Sequence, residues 1–151
     1  MNNLPHISIK AAGKHQLQAL YRLEQGLFGA HAYPDFFFRQ SFDCWPSGLR
    51  VACDENECLL GYILLARSER VDSAWILSVA VDSAAQGRGI GRRLIVESLS
   101  ALPASVTQVK LTVAPDNPAR YLYARLGFVE QGLEADYFGP DEDRVLMTLC
   151  R

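Results

Sequence analysis

The chain has 151 residues, 49% of them hydrophobic and 21% charged, and its formal net charge is −2. That length fits one domain with a single core. No apolar run approaches the roughly 20 residues that span a bilayer, and a near-neutral charge balance argues against a nucleic-acid binder. The opening residues, Met-Asn-Asn-Leu-Pro-His, lack the basic start and apolar stretch of a secretory leader. Cys44, Cys53, Cys58 and Cys150 form no CxxC pair, and they lack metal-ligand spacing with His6, His15 and His31. They read as reduced thiols, so the expectation is a cytoplasmic protein with no metal and no membrane segment.

In chain order, Ile7 to Ala11 reads as a first strand, and Lys14 to Phe28 carries Leu17, Leu20, Tyr21, Leu27 and Phe28 at helical spacing. Tyr33-Pro34 opens a second helix that Trp45-Pro46 ends. Arg50 to Cys53 and Cys58 to Ala66 form a hairpin around Asp54-Glu55-Asn56-Glu57, and Trp75 to Val81 is the next strand. Ile90, Leu94, Ile95, Leu99 and Leu102 make one helical face. Val109 to Val113 is a strand rich in β-branched residues. Pro118 to Leu126 is helical, with Gly127 at the position of a C-terminal cap. Phe128 to Leu133 and Arg144 to Leu149 close the chain as strands. The order βααβββαβαββ, with no linker or repeat, predicts one α/β (α+β) domain over residues 1–151 with a mixed sheet.

Gln86-Gly87-Arg88-Gly89-Ile90-Gly91-Arg92-Arg93 joins a strand to a helix. The first N–H groups of such a helix have no partner inside it, and its dipole places partial positive charge there. Glycines let a phosphate approach the backbone. The turn reads as a site for a phosphorylated ligand; the alternative is an ordinary glycine-rich turn with basic residues for solubility. A dinucleotide fingerprint counted from Gly87 puts Arg92 where its third glycine belongs, and no Gly-Lys-Ser/Thr follows. What remains is Gln-x-x-Gly-x-Gly at Gln86, Gly89 and Gly91.

This pattern resembles the acetyl-CoA pyrophosphate loop of the GNAT superfamily of N-acetyltransferases. Asp116-Asn117-Pro118-Ala119-Arg120-Tyr121-Leu122-Tyr123-Ala124-Arg125-Leu126-Gly127-Phe128 is similar to the same family's Asn-x-x-Ala-x-x-Leu-Tyr-x-x-x-Gly-Phe segment. One departure stands out: the family places its Asn seven residues before the Tyr, where this chain has Asp116, with Asn117 six before Tyr123. The resemblance implies a mostly antiparallel central sheet with a splayed parallel strand pair, flanked by about four helices. It implies acetyl-CoA as co-substrate, its pantetheine arm laid along Val79, Ala80 and Val81 as an added strand. Its pyrophosphate would sit on Gln86, Gly87, Arg88, Gly89, Ile90 and Gly91. Arg92, Arg88 or Arg93 would assist as guanidinium donors, and Asn117 would make a further contact. Three arginines in one helical turn read equally as a solvated face for at least one of them.

The resemblance makes Tyr123 the acid that protonates the departing thiolate; core packing is the alternative, since Ala119, Leu122, Tyr123 and Leu126 share helical spacing. Members resembling the ribosomal-protein N-terminal acetyltransferase carry a Glu where this chain has Thr112, which is no base. The base must be a water, a carboxylate or a histidine elsewhere. Glu24, on the apolar stripe of the first helix, leads, ahead of His31 and Asp35; a carboxylate there needs a partner or a purpose, and the alternative to base duty is an edge residue that reaches water or pairs with an arginine. The acceptor is a primary amine that must attack neutral. At pH 7 a lysine amine is roughly 0.04% neutral and an α-amine about 10–15%, which favours an α-amine; a peptide N-terminus is the first choice of acceptor, and a small-molecule amine such as a polyamine, amino acid or aminoglycoside is the second. The segment Tyr137 to Met147 resembles the closing hairpin of protein N-terminal acetyltransferases, where Asp141, Glu142 and Asp143 would attract a cationic amine or simply form a solvated turn. A non-catalytic acyl-CoA-binding module is the alternative of another class. The expected form is a monomer or homodimer.

Overall fold

The computed structural model describes residues 6–151. Seven strands and four α-helices are present among them: β1 Ser8–Ala11, α1 Leu17–Phe28, α2 Asp35–Cys44, β2 Leu49–Cys53, β3 Leu59–Arg67, β4 Ser73–Val81, α3 Ile90–Ser100, β5 Gln108–Val113, α4 Ala119–Arg125, β6 Val129–Glu134 and β7 Arg144–Cys150. Every element expected from the sequence is found, with ends shifted by a few residues. The largest change is at the first helix, where Lys14–Gln16 forms a separate 3-10 turn. The strands run in the order β1-β2-β3-β4-β5-β7-β6, with β4 and β5 parallel and the other recorded pairs antiparallel. This is the mixed, mostly antiparallel sheet with four helices that the resemblance implied. No helix among the described residues is long and apolar enough to cross a membrane.

The described residues form two compact units, 6–66 with 78–102, and 67–77 with 103–151. In the first, the β2–β3 turn is set by Asp54, whose carboxylate accepts the amides of Asn56 and Cys58 at 2.8 and 2.9 Å. Leu49, Val51, Tyr62 and Leu64 point to one face of that hairpin, where they meet Leu20 of α1 and Phe38 of α2. The Phe38 and Tyr62 rings meet edge to face at 5.5 Å. β3 is buried without interruption from Gly61 to Ala66, as a strand covered on both faces must be. α3 buries Ile90, Leu94 and Ile95.

In the second unit the alternation is clean. Val109, Leu111 and Val113 of β5 and Val145 and Met147 of β7 are buried. Gln108, Lys110, Thr112, Arg144, Leu146 and Thr148 occupy the opposite, half-exposed face. β5 and β7 pair from Gln108–Cys150 to Val113–Val145. The parallel β4–β5 ladder covers only Ser73–Trp75 with Gln108–Lys110, and β4 runs on to Val81 beyond it.

Leu94 is fully buried. Leu94→Ala is expected to cost about 2–5 kcal/mol, seen as a lower urea midpoint with an unchanged denaturant slope.

Candidate active site

The residues singled out in the sequence fall in both units, and each group has its own local geometry. In the first unit, β4 leads through one 3-10 turn, Ser83–Ala85, into the glycine turn and α3. Gly87 and Gly89 have φ of 84° and 75°, the left-handed region that a side chain rarely adopts. A Cβ added at either would meet nothing within 4 Å, so these glycines serve the backbone path and leave the space above it open. The first helical bond runs from the Arg93 N–H to the Gly89 carbonyl, 3.0 Å. The amides of Ile90, Gly91 and Arg92 therefore have no carbonyl one turn earlier to bind. Gln86 Nε2 donates to the Val81 carbonyl at 3.2 Å and ties the turn back onto β4. Val79 and Val81 are half-buried and Ala80 is buried. Arg88 and Arg92 are exposed. Arg93 is committed elsewhere: its guanidinium donates to Glu97 at 3.1 Å and to the Ile7 carbonyl at 2.9 Å.

The same unit buries a carboxylate. Glu24 is 2% exposed. Its Oε1 accepts the Tyr62 hydroxyl at 2.6 Å, and its Oε2 accepts the Tyr33 amide at 2.9 Å. Ser78 Oγ lies 2.7 Å from the Tyr62 oxygen. A phenol has one proton and Tyr62 gives it to Glu24, so Ser78 is the donor in the second contact. Burial, then the Glu24 charge and hydrogen bond, push the Tyr62 phenol far above its ordinary value, so it stays a donor. The three groups form a directed chain from Ser78 on β4, through Tyr62 on β3, to Glu24 on α1. His31 and Asp35 are exposed. Asp35 Oδ1 accepts the Phe36 amide at 2.8 Å, in the first turn of α2.

In the second unit, Tyr123 sits on α4 with its ring edge-on to Phe128 at 6.0 Å. Burial raises its phenol above the ordinary value, and the positive charge of Arg144 opposes that rise. Asn117 Oδ1 accepts the Ala119 amide at 2.9 Å, capping the start of α4; Asp116 is exposed. Thr112 is held by Arg144, whose Nε donates to Thr112 Oγ1 at 3.2 Å and whose Nη2 donates to the Thr112 carbonyl at 2.9 Å. The Arg144 guanidinium carbon also lies 5.1 Å from the centre of the Phe138 ring. In the β6–β7 connection, Asp143 Oδ1 accepts the Asp136 amide at 2.9 Å and Asp136 Oδ1 accepts the Asp141 amide at 2.8 Å. Two of these acids thus shape the loop.

A model of the acetyltransferase (GNAT) family matches residues 17–128. The chain belongs to the GNAT acetyltransferase family. Mycothiol acetyltransferase of Gordonia bronchialis is 36% identical over 124 residues, 80% of this chain and 39% of that protein. The chain thus spans well under half the length of that relative. N-alpha-acetyltransferase RimI of Mycobacterium tuberculosis is 33% identical over 136 residues, 87% of this chain and 84% of that protein. Ard1 from Thermoplasma volcanium shares the fold, with a TM-score of 0.86 at 23% identity, covering 95% of this chain and 97% of that one.

Within this GNAT chain, the sequence reading passed over Tyr62, Ser78 and Arg144. A signal for Tyr62 existed: a phenol in the apolar run Cys58 to Ala66 needs a hydrogen-bond partner, and Glu24 on an apolar helical stripe needs donors. Arg144 shares a face with Leu146 at strand spacing, but the sequence does not say that it turns back onto Thr112.

Tyr62→Phe removes a donor from a buried carboxylate and is expected to destabilise the protein by about 1–3 kcal/mol. Urea unfolding of the variant beside the parent measures this.

Proposed function

We propose that the chain is one N-acetyltransferase domain, residues 1–151, that moves an acetyl group from acetyl-CoA to a neutral primary amine, first among them the α-amine of a peptide. The observation that carries this is the turn from Gly87 to Arg92, two left-handed glycines opening onto unpartnered helix amides. Such a turn suits a pyrophosphate. Gln86, Gly87, Arg88, Gly89, Ile90, Gly91 and Arg92 would hold it, Val79 to Val81 would pair with the pantetheine amides, and Asn117 would add a contact through its free amide N–H groups. The peptide acceptor is supported by the RimI relative, which matches over most of both chains. The mycothiol relative favours a small-molecule amine as the second reading.

In this mechanism the amine attacks the thioester carbonyl carbon, the C–N bond forms and the C–S bond breaks. Tyr123 gives its phenolic proton to the leaving sulfur. The amine proton passes to Ser78, while Ser78 gives its own proton to Tyr62 and Tyr62 gives its own to Glu24. The donors already point that way. A buried carboxylate thereby serves as base without touching the acceptor, which answers the absence of a carboxylate at position 112. Tyr123 and Glu24 return to their starting states by exchange with solvent.

Mixing the protein with acetyl-CoA and a peptide bearing a free α-amine is expected to release CoA thiol. Tight acetyl-CoA binding without release on any amine would overturn the reading in favour of a binding module. Tyr123→Phe is expected to lower kcat by about 10²–10⁴ with the KM for acetyl-CoA little changed. The protonated phenol is the active form and lies above its ordinary value of 10.0. Any loss of kcat from its ionisation therefore falls on the alkaline side of pH 10, and neutral pH leaves it intact.

A further inference from the structure

Glu24 is buried, so a proton that reaches it has no direct way into water. Tyr62 approaches its Oε1 from the core strand β3, and the Tyr33 amide approaches Oε2 at 2.9 Å from the connection between α1 and α2. Among the described residues Glu24 has no further hydrogen bond and no ion pair. Both oxygens accept from donors, which is the pattern of an ionised carboxylate. The two covers differ in how readily they can move. β3 is buried without interruption from Gly61 to Ala66. The connection is a surface turn, with Gly29, Ala30, His31 and Pro34 exposed. Gly29 directly follows α1 with φ 56° and ψ −120°, a conformation that a side chain rarely adopts. The backbone bonds from Ala32 to Gly29 and from Phe37 to Pro34, each 3.1 Å, are local. The Tyr33 amide bond instead crosses nine positions to α1. Its strength comes from the carboxylate charge, since a bond to an ionised acceptor is about twice as strong as a neutral one. The Tyr33 ring packs on the core beside Phe37, so loosening frees the backbone around a fixed pivot.

We propose that the α1–α2 connection is a gate held shut by the charge on Glu24: the ionised carboxylate holds the Tyr33 amide, and the protonated one lets the connection open to water. The hold itself depends on no reaction. Its use in turnover rests on the relay above, in which Ser78 and Tyr62 each receive one proton and pass one on, so that Glu24 alone of the three ends the transfer changed. The Glu24 O–H bond then breaks, the proton passes to water admitted by the opened connection, and the restored carboxylate draws the Tyr33 amide back. A buried base is thereby reset once per turnover, and water is kept from it while it is charged.

Amide hydrogen exchange of the full chain without ligand, followed residue by residue by NMR, tests the gate independently of activity. Glu24→Gln leaves a neutral oxygen for the Tyr33 amide. Exchange at Tyr33 is expected to quicken about tenfold, by a margin that Ile63 and Leu64 of β3 do not share. Tyr62→Phe removes the other donor and keeps the charge, so the Tyr33 amide should stay as protected as in the parent. Parent-like exchange at Tyr33 in Glu24→Gln would overturn the proposal, as would an equal quickening at Tyr33 and in β3. Should Glu24→Gln not fold, Tyr62→Phe carries the test: protection kept at Tyr33 supports the charge-held gate, and protection lost there overturns it. If the unaltered protein acetylates no amine, the acetyltransferase reading falls and takes with it the gate's use in turnover. If it acetylates normally and Glu24→Gln leaves Tyr33 exchange unmoved, the gate alone falls.

Discussion

A buried carboxylate organises the first unit. Taking an ionised Glu out of water costs several kcal/mol unless its oxygens are satisfied, and Glu24 meets that demand from two separate elements. Tyr62 of β3 supplies a hydroxyl, and the backbone of Tyr33 supplies an amide from the segment before α2. Ser78 of β4 completes the set through Tyr62. The entry to α2, the middle of β3 and the second half of β4 are thereby held to one point on α1. Tyr33 is fixed further by stacking on Phe37 at 4.1 Å. Because α2 and β3 meet through Phe38 and Tyr62, the polar anchor and the apolar core reinforce each other.

The glycine turn follows from β4 in the same unit. Gln86 folds back on Val81, and the chain then takes two left-handed residues before α3 begins. Leu94 and Ile95 hold that helix to the sheet, so its first amides are presented by a rigid element. Rigid presentation matters because preorganised donors need no reorientation when charge arrives. In the second unit the equivalent rigidity comes from the full-length β5–β7 ladder and from Arg144, which crosses from β7 to Thr112. The two units use opposite charges for the same purpose, a side chain tied at several points so that its neighbours cannot drift.

Much of this was legible in the sequence, for physical reasons. Element types followed from apolar periodicity, and the glycine turn could be read because left-handed φ angles demand glycine. Glu24 stood out because a carboxylate on an apolar stripe is costly. What stayed hidden were the partners. Tyr62 looked like one more apolar strand residue, and Ser78 like a neutral break in β4, because a hydrogen bond between residues 16 positions apart leaves no local pattern. Arg144 was hidden for a related reason. Its bonds to Thr112 span 32 positions, and sequence alone showed a threonine where a base was missing without showing what stood beside it. The three arginines of the turn also could not be told apart by spacing; only the fold reveals that Arg93 turns to Glu97 and Ile7.

In the proposed mechanism the buried carboxylate of Glu24 is both a structural anchor and the resting place of the amine proton. Turnover of Glu24→Gln, measured as kcat against pH with saturating acetyl-CoA and peptide amine, tests this most directly. The amide keeps the shape and gives up the proton acceptor, so kcat should fall by roughly 10²–10⁴ at every pH while acetyl-CoA still binds. Full turnover across the pH range would contradict it and leave Glu24 a structural residue only.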